Sequence, residues 1–240
     1  MSGHSYWSTW PVDTLIQTRK ELAEELEKQL PSNYTYWQTE YCPMEQNPDN
    51  PQGGGGRDLT MNTALYVARV IHHDLTVANA SSWQWWTAFS EWDYKDGLIF
   101  IDDGMLADGA SRGDEKMIET CKEDGMFRTS KLLWALGNYS FFVRPGMVRL
   151  GEVTEVENPT GLMASAYADI GLKKIVVVLV NFSEDNKMVD LSFQSLPSGY
   201  FVHKYKWYET SARSDLQYKG IVESRLQIPA RSIVTLVGVK

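Results

Sequence analysis

The segment from Tyr36 to Met44 reads YWQTEYCPM. Its aromatic and β-propensive residues predict a strand over 34–42, and the segment PDNPQGGGG that follows predicts a flexible loop. Glu40 therefore lies close to the end of a strand. In a parallel α/β barrel, the carboxyl ends of the strands form the active face. An acid at this position is either a functional carboxylate, as nucleophile, base or metal ligand, or an ordinary surface residue.

Strand and helix patterns alternate on both sides of this segment. Apolar residues at helical spacing predict three helices, over 13–30, 60–75 and 129–143, and Asp13 is the predicted N-cap of the first. Runs of β-propensive residues predict a short strand before the first helix, over 4–10, and two before the third, over 81–89 and 97–101. Strands that alternate with helices are typical of a parallel sheet. A closed (β/α)₈ barrel needs more such units, so residues 1–145 are predicted to be an α/β region, an incomplete portion of a TIM barrel.

The pattern changes after the segment RPGM at 144–147. Short β-propensive runs separated by turn residues follow, among them GLMASAYADI, KKIVVVLVNF, MVDLSF, FVHKYKWYET, VESRLQI and SIVTLVGV. This all-β pattern predicts an antiparallel β-sandwich domain over 146–240.

Charge and composition exclude several classes of protein. The net charge of −8 argues against nucleic-acid binding, which requires clustered Lys and Arg. No long apolar run predicts a membrane span, and the N-terminus has no signal-peptide pattern. The four histidines lack metal-ligand spacing, so we expect no metal and no cofactor. Nine Trp and twelve Tyr supply flat rings of the kind that stack on sugars.

The two cysteines, Cys42 and Cys121, leave two interpretations open. They form one disulfide if the protein is exported, or they are free thiols, of which buried ones are the simpler interpretation.

Aromatic and imidazole side chains cluster at the ends of the strands that neighbour Glu40. His4 and Tyr6 alternate at the end of one strand, and Trp83 and Trp86 lie at the end of the other. A carboxylate beside Tyr, His and Trp is typical of a sugar-cleaving pocket, in which the indole is a platform and the polar groups bind hydroxyls.

Several motifs together resemble glycoside hydrolase family 30, in particular its endo-β-1,6-galactanase-like branch. The segments that carry the resemblance are HSYWSTWP (4–11), YWQTEYC (36–42), the run from Arg57 to Trp86, DYKDGLIFID (93–102) and SKLLWALGNYSFFVRPGM (130–147). The resemblance implies a retaining glycosidase with a (β/α)₈ barrel and a side β-sandwich, acting on a polysaccharide or oligosaccharide.

The resemblance also implies roles for five residues. Glu40 matches the nucleophile at the end of barrel strand seven, and His4 and Tyr6 match residues of strand six, with Tyr6 expected to bind the nucleophile. Trp86 matches the tryptophan that lines the reacting sugar, with Trp83 beside it.

The sequence departs from the family in one respect that concerns catalysis. The family places its acid/base in an Asn-Glu pair, and this sequence contains no Asn-Glu dipeptide. The resemblance covers only the last three barrel strands, so we expect a C-terminal part that is inactive without an N-terminal half. The remaining candidates for the acid are more simply loop residues; these are Glu45, Asp93, Asp96, Asp102 and Asp103. The parent enzyme is expected to be secreted, periplasmic or on the cell surface.

A second hypothesis belongs to another class of function. The predicted β-sandwich and the many Trp residues also fit a non-catalytic carbohydrate-binding or structural module. The missing acid favours this hypothesis for the chain as it stands, whereas Glu40 and its neighbours favour the glycosidase.

Overall fold

The computed structural model describes residues 1–31, 33–102, 126–151, 158–193 and 203–239. The chain divides into two compact units, Met1–Leu133 and Trp134–Lys240. The assignment of 1–145 to a barrel portion and of 146–240 to a sandwich stays a prediction.

The first unit is built on a parallel sheet of three strands. These are β1 (Ser2–His4), β2 (Trp37–Glu40) and β3 (Ser82–Trp83), in the order β1-β2-β3. Helix α1 (Val12–Gln29) connects the first two strands, and α2 (Met61–Thr76) connects the second and third. Parallel neighbours need such crossover connections, and their carboxyl ends meet at one edge of the sheet. Glu40 ends the middle strand at that edge.

Helix α1 follows the predicted apolar stripe but begins differently. Leu15, Ala23 and Leu26 are buried along one face, and the helix ends two residues before Pro31. The prediction of Asp13 as the N-cap is wrong, because Pro11 occupies the cap position and no side chain caps the helix. Asp13 instead lies in the first turn, where a negative charge interacts favourably with the helix dipole.

Helix α2 is buried along most of its length, as expected of a helix with apolar residues on several faces. Its start is fixed by two side chains. Thr60 accepts a hydrogen bond from the backbone N–H of Asn62 at 3.2 Å. Asp58 accepts one from the backbone N–H of Thr63 at 3.0 Å and a second from its hydroxyl at 2.7 Å. These bonds satisfy helix-end donors that have no partner within the helix.

A small mixed sheet and a third helix follow. The sheet contains β4 (Phe89–Ser90), β5 (Ile99–Asp102) and β6 (Met126–Thr129) in the order β4-β5-β6. The single strand predicted over 81–89 is therefore two short strands, β3 and β4. Helix α3 (Lys131–Ser140) is shorter than predicted.

The second unit is antiparallel throughout its described strands. Six strands form one sheet in the order β12-β11-β14-β9-β8-β7, and two form another, β10-β13. Their bounds are β7 (Val148–Arg149), β8 (Leu162–Asp169), β9 (Lys174–Asn181), β10 (Lys187–Asp190), β11 (Lys204–Ser211), β12 (Ser214–Glu223), β13 (Arg225–Ile228) and β14 (Ser232–Val239).

One hydrophobic core contains residues of both antiparallel sheets. Val177 and Leu179 of β9 and Leu236 of β14 pack in the same cluster as Leu226 and Ile228 of β13. Burying a side chain of this size stabilises the fold by about 1.5–3 kcal/mol. The long hydrophobic run KIVVVLVN forms β9 because its residues are buried on both faces of the sheet.

The fold class agrees with the predicted order at a coarse level. Strands dominate the described residues, the few helices all lie before residue 141, and the antiparallel strands follow. The incomplete barrel and the β-sandwich remain predictions. Among the described helices, none combines the length and apolar character needed to cross a membrane.

Candidate active site

Glu40 ends β2 with its carboxylate partly open to solvent, and its side chain is 34% exposed. The hydroxyl of Tyr6 donates a hydrogen bond of 2.9 Å to its Oε1 atom. The Nδ1 atom of His4 lies 3.9 Å from the same oxygen. In the part of the chain that the structure describes, no hydrogen bond reaches the other oxygen, Oε2. The carboxylate is therefore held on one side and open on the other.

Strand pairing brings these residues together. The Cα atoms of His4 and Glu40 are register partners in the parallel pair β1–β2. Gly3 allows this approach, because a Cβ atom at this position would lie 2.9 Å from the hydroxyl of Tyr36. Tyr36 and Gln38, on the same face of the strand as Glu40 by alternation, are both buried. The amide of Gln38 donates to the backbone carbonyl of Glu40 at 2.8 Å and supports the end of the strand.

Tyr6 is held in its neutral form. Burial raises the pKa of its hydroxyl, and the hydrogen bond to Glu40 raises it further. Both effects disfavour a phenolate, which would be poorly solvated and would lie beside a carboxylate. Tyr6 therefore remains a hydrogen-bond donor to Glu40 throughout the neutral range.

Cys42 lies beside this pair but is not activated. Its Sγ atom is 3.8 Å from the hydroxyl of Tyr6. Burial raises the pKa of the Cys42 thiol to about 11, so it stays protonated at neutral pH, when a nucleophilic cysteine would be a thiolate. Cys42 is a buried free cysteine, in agreement with the simpler interpretation, and Cys121 lies outside the described residues.

The three tryptophans at the end of β3 and directly after it differ in their surroundings. The indole N–H of Trp83 donates to Asp74 at 2.8 Å, and the indole N–H of Trp85 donates to the carbonyl of Asp96 at 2.8 Å. The two rings stack with their centroids 6.2 Å apart. Trp86 has a side chain that is 53% exposed. Trp83 and Trp85 are thus fixed by internal contacts, and Trp86 has the most accessible indole of the three.

Asp74 joins several elements below the candidate site. Besides Trp83, it accepts hydrogen bonds from the hydroxyl of Ser5 at 2.9 and 3.0 Å and from Nε of Arg19 at 2.7 Å. Burial raises the pKa of the Asp74 carboxyl, and the Arg19 guanidinium opposes that shift. Sequence reasoning missed this cluster. The sequence does contain a sign of the cluster: Asp74 lies within an otherwise apolar face of α2, and a carboxylate buried there requires partners.

The other candidate acids mostly have structural contacts. Glu45 accepts a hydrogen bond of 2.6 Å from the hydroxyl of Thr9, and Asp93 accepts one of 2.7 Å from the backbone N–H of Arg57. The side chain of Asp102 and all of Asp103 lie outside the described residues. Within the described ranges, no group of three metal-binding side chains is assembled.

The chain is similar to a known protein family and to several solved structures. Residues 1–100 match the family model described as O-Glycosyl hydrolase family 30. A solved structure described as a conserved exported protein from Bacteroides fragilis is 36% identical, with a TM-score of 0.81; the alignment covers 99% of this chain and 45% of that one. No curated protein matches the chain.

Two solved enzymes share the fold at lower identity. A GH30 endoxylanase from Clostridium papyrosolvens is 20% identical with a TM-score of 0.65, over 100% of this chain and 48% of that one. The catalytic domain of a GH30 xylanase from Talaromyces cellulolyticus is 20% identical with a TM-score of 0.60. The alignment covers 87% of this chain and 42% of that one.

The fold is similar to that of solved family 30 enzymes. Residues 1–100 are related to O-glycosyl hydrolase family 30, and the structural neighbours include xylanases of that family. The chain spans less than half the length of these three solved structures.

Proposed function

We propose that the chain is the C-terminal part of a retaining glycosidase of family 30 that cleaves a β-linked polysaccharide, with Glu40 as nucleophile. The observation that carries the proposal is the hydrogen bond of 2.9 Å from Tyr6 to a partly exposed carboxylate at the end of a parallel strand. Under this proposal, β1, β2 and β3 are the last three strands of a (β/α)₈ barrel, and the antiparallel unit is its side β-sandwich.

The geometry of Glu40 suits attack on an anomeric carbon. Its Oε2 atom forms the new C–O bond while the bond to the leaving oxygen breaks, which gives a covalent glycosyl ester. Tyr6 holds Oε1 and stays protonated, so the free oxygen keeps its orientation. His4, whose side chain is 48% exposed, donates to sugar hydroxyls, and Trp86 is the platform for the reacting sugar.

The full reaction needs a second carboxyl group, which protonates the leaving oxygen as the glycosyl ester forms and later deprotonates the water that hydrolyses the ester. In retaining enzymes the two groups are about 5–5.5 Å apart. We assign the second group to a part of the whole protein outside these 240 residues. The absence of an Asn-Glu dipeptide supports this, as do the hydrogen bonds that engage Glu45 and Asp93. The chain alone should be inactive, since loss of general acid catalysis costs about 10²–10⁴-fold in rate.

The proposed substrate is β-1,6-galactan, from the resemblance of the motifs to the galactanase-like branch. The exported protein of Bacteroides fragilis supports a place outside the cytoplasm for the whole enzyme: secreted, periplasmic or on the cell surface.

The test is a chimera in which this chain replaces the corresponding part of the Bacteroides fragilis protein. Reducing-sugar release from β-1,6-galactan, β-1,6-glucan and xylan is measured for the chimera and for its Glu40→Gln variant. Turnover that is lost in Glu40→Gln supports the proposal, and the preferred polysaccharide identifies the substrate. A folded chimera whose turnover is unchanged in Glu40→Gln refutes Glu40 as nucleophile.

A non-catalytic carbohydrate-binding function is the second candidate. The exposed indole of Trp86 favours it, because an accessible ring binds sugar whether or not a bond is cleaved. In this case the isolated chain binds oligosaccharides, and the chimera is folded but releases no sugar.

A further inference from the structure

A second exposed indole lies beside the candidate site and has no role in the mechanism above. Trp7 directly follows Tyr6, and its side chain is 71% exposed. Its backbone is in the left-handed region, with φ of 58°. Bulky residues rarely adopt this conformation, and a large indole gains little from solvent exposure. The described residues of this chain therefore leave most of this indole uncovered.

The loop that carries Trp7 is fixed on both sides. Before it, the hydroxyl of Ser5 donates to the buried Asp74 at 2.9 Å. After it, the hydroxyl of Ser8 donates to the carbonyl of Ser5 at 3.0 Å, and Nη1 of Arg19 donates to the carbonyl of Ser8 at 2.9 Å. These contacts impose the turn at Trp7, so its indole is held outward from an ordered backbone rather than from a loose one.

The strand order places Trp7 and Trp86 on opposite sides of Glu40. Glu40 ends the middle strand β2, Trp7 follows the end of β1, and Trp86 follows the end of β3. Neighbouring strands lie about 4.8 Å apart, so the two loops flank the carboxylate at the same edge of the sheet. A sugar chain that crosses this edge meets an exposed indole on each side of Glu40.

We propose that Trp7 is a second sugar-binding platform, which stacks on a unit of the substrate other than the one over Trp86. This inference rests on the proposed function and extends it. The ligand class is a neutral β-linked oligosaccharide of at least two units, bound by the apolar faces of its rings. Affinity should therefore increase with chain length, and Trp7 should account for that increase.

The experiment measures binding of β-1,6-linked galacto-oligosaccharides of increasing length by titration calorimetry. The 240-residue chain, which the proposed function makes inactive on its own, is compared with the same chain carrying Trp7→Ala or Trp7→Asn. Asn adopts the left-handed backbone more readily than other residues with a Cβ atom, so Trp7→Asn preserves the turn. Trp37→Ala is the matched control, because this indole is 48% exposed but starts β2, at the opposite end of the strand from Glu40.

We expect the longer oligosaccharides to bind about tenfold more weakly to both Trp7 variants, with monosaccharide binding and the Trp37→Ala control unchanged. If length-dependent binding survives in both Trp7 variants, the inference is overturned and the glycosidase proposal is unaffected. If binding depends on Trp7 but the Glu40 test fails, the proposed reaction is wrong and the platform stands. If the folded chain binds no oligosaccharide, the inference about Trp7 is wrong. The chimera then still tests the proposed reaction independently.

Discussion

The hydroxyl of Tyr6, in the turn after β1, donates to Oε1 of Glu40 at the end of the neighbouring parallel strand β2, with 2.9 Å between the oxygen atoms. Because burial and this hydrogen bond both raise the pKa of Tyr6, the bond is always donated by the tyrosine. Tyr6 thus binds one carboxylate oxygen, and among the described residues no hydrogen bond reaches the other. The arrangement depends on the register of β1 and β2, which pairs His4 with Glu40.

The first prediction follows from this contact. In the active chimera, Tyr6→Phe removes the donor but keeps the ring, so Glu40 loses its orientation. We expect kcat to fall about 10–100-fold, consistent with a hydrogen bond to a charged group worth about 1.5–3 kcal/mol. Tyr218→Phe, an exposed tyrosine of the second unit, is the control. Equal rates for Tyr6→Phe and the parent would contradict a role for Tyr6 in positioning the carboxylate.

The second prediction concerns alkaline stability. Burial raises the pKa of Cys42 to about 11 from its ordinary value of 9.0, so the folded state keeps a proton that the unfolded state releases. The stabilisation from this group is complete below pH 9 and is lost as the pH rises through 11. Urea unfolding at a series of pH values should show stability that falls over this window, and Cys42→Ala should reduce the slope. An unchanged slope would mean that Cys42 does not contribute.

The third prediction concerns the buried ion pair between Arg19 and Asp74, whose closest atoms are 2.7 Å apart. Asp74→Asn leaves the guanidinium buried without its counter-charge. We expect a loss of about 3–5 kcal/mol in the free energy of unfolding, measured by urea denaturation. Glu25→Gln removes an exposed pair with Lys28, where the two atoms are 3.0 Å apart, and should leave stability unchanged. If the two substitutions changed the free energy of unfolding equally, the buried ion pair would not contribute more to stability than the exposed one.

Sequence patterns predicted the elements whose signals are local. The helix periodicities and the strand that ends at Glu40 depend on nearest neighbours, so α1, α2 and β2 appear where they were expected. Strand β12 was not predicted, because most of its residues are exposed at a sheet edge and its hydrophobic pattern is weak. The run 81–89 broke into two strands because hydrogen bonds from Trp85 and Thr87 to Asp96, distant in sequence, hold its centre.

In the candidate site too, the features with a local sequence signal were predictable and those that depend on tertiary contacts were not. The residue types around Glu40 were predictable, since strand alternation and the family motifs both point to His4, Tyr6 and Trp86. The anchoring of Trp83 by Asp74 and the left-handed backbone of Trp7 depend on tertiary contacts. A sequence pattern carries no information about such contacts until the strand order is known.

The last prediction separates the two tryptophans that the sequence assigned to the sugar. The indole N–H of Trp83 is bound to buried Asp74, whereas Trp86 is exposed. Trp83→Phe should therefore lower the free energy of unfolding by about 1–3 kcal/mol, because a buried carboxylate oxygen loses its donor. Trp86→Ala should leave stability nearly unchanged and weaken oligosaccharide binding about tenfold. Thermal unfolding and titration calorimetry on the same samples measure both effects, with Trp37→Ala as the exposed control. If Trp83→Phe weakens binding without loss of stability, then Trp83 contacts the sugar directly and its bond to Asp74 is secondary.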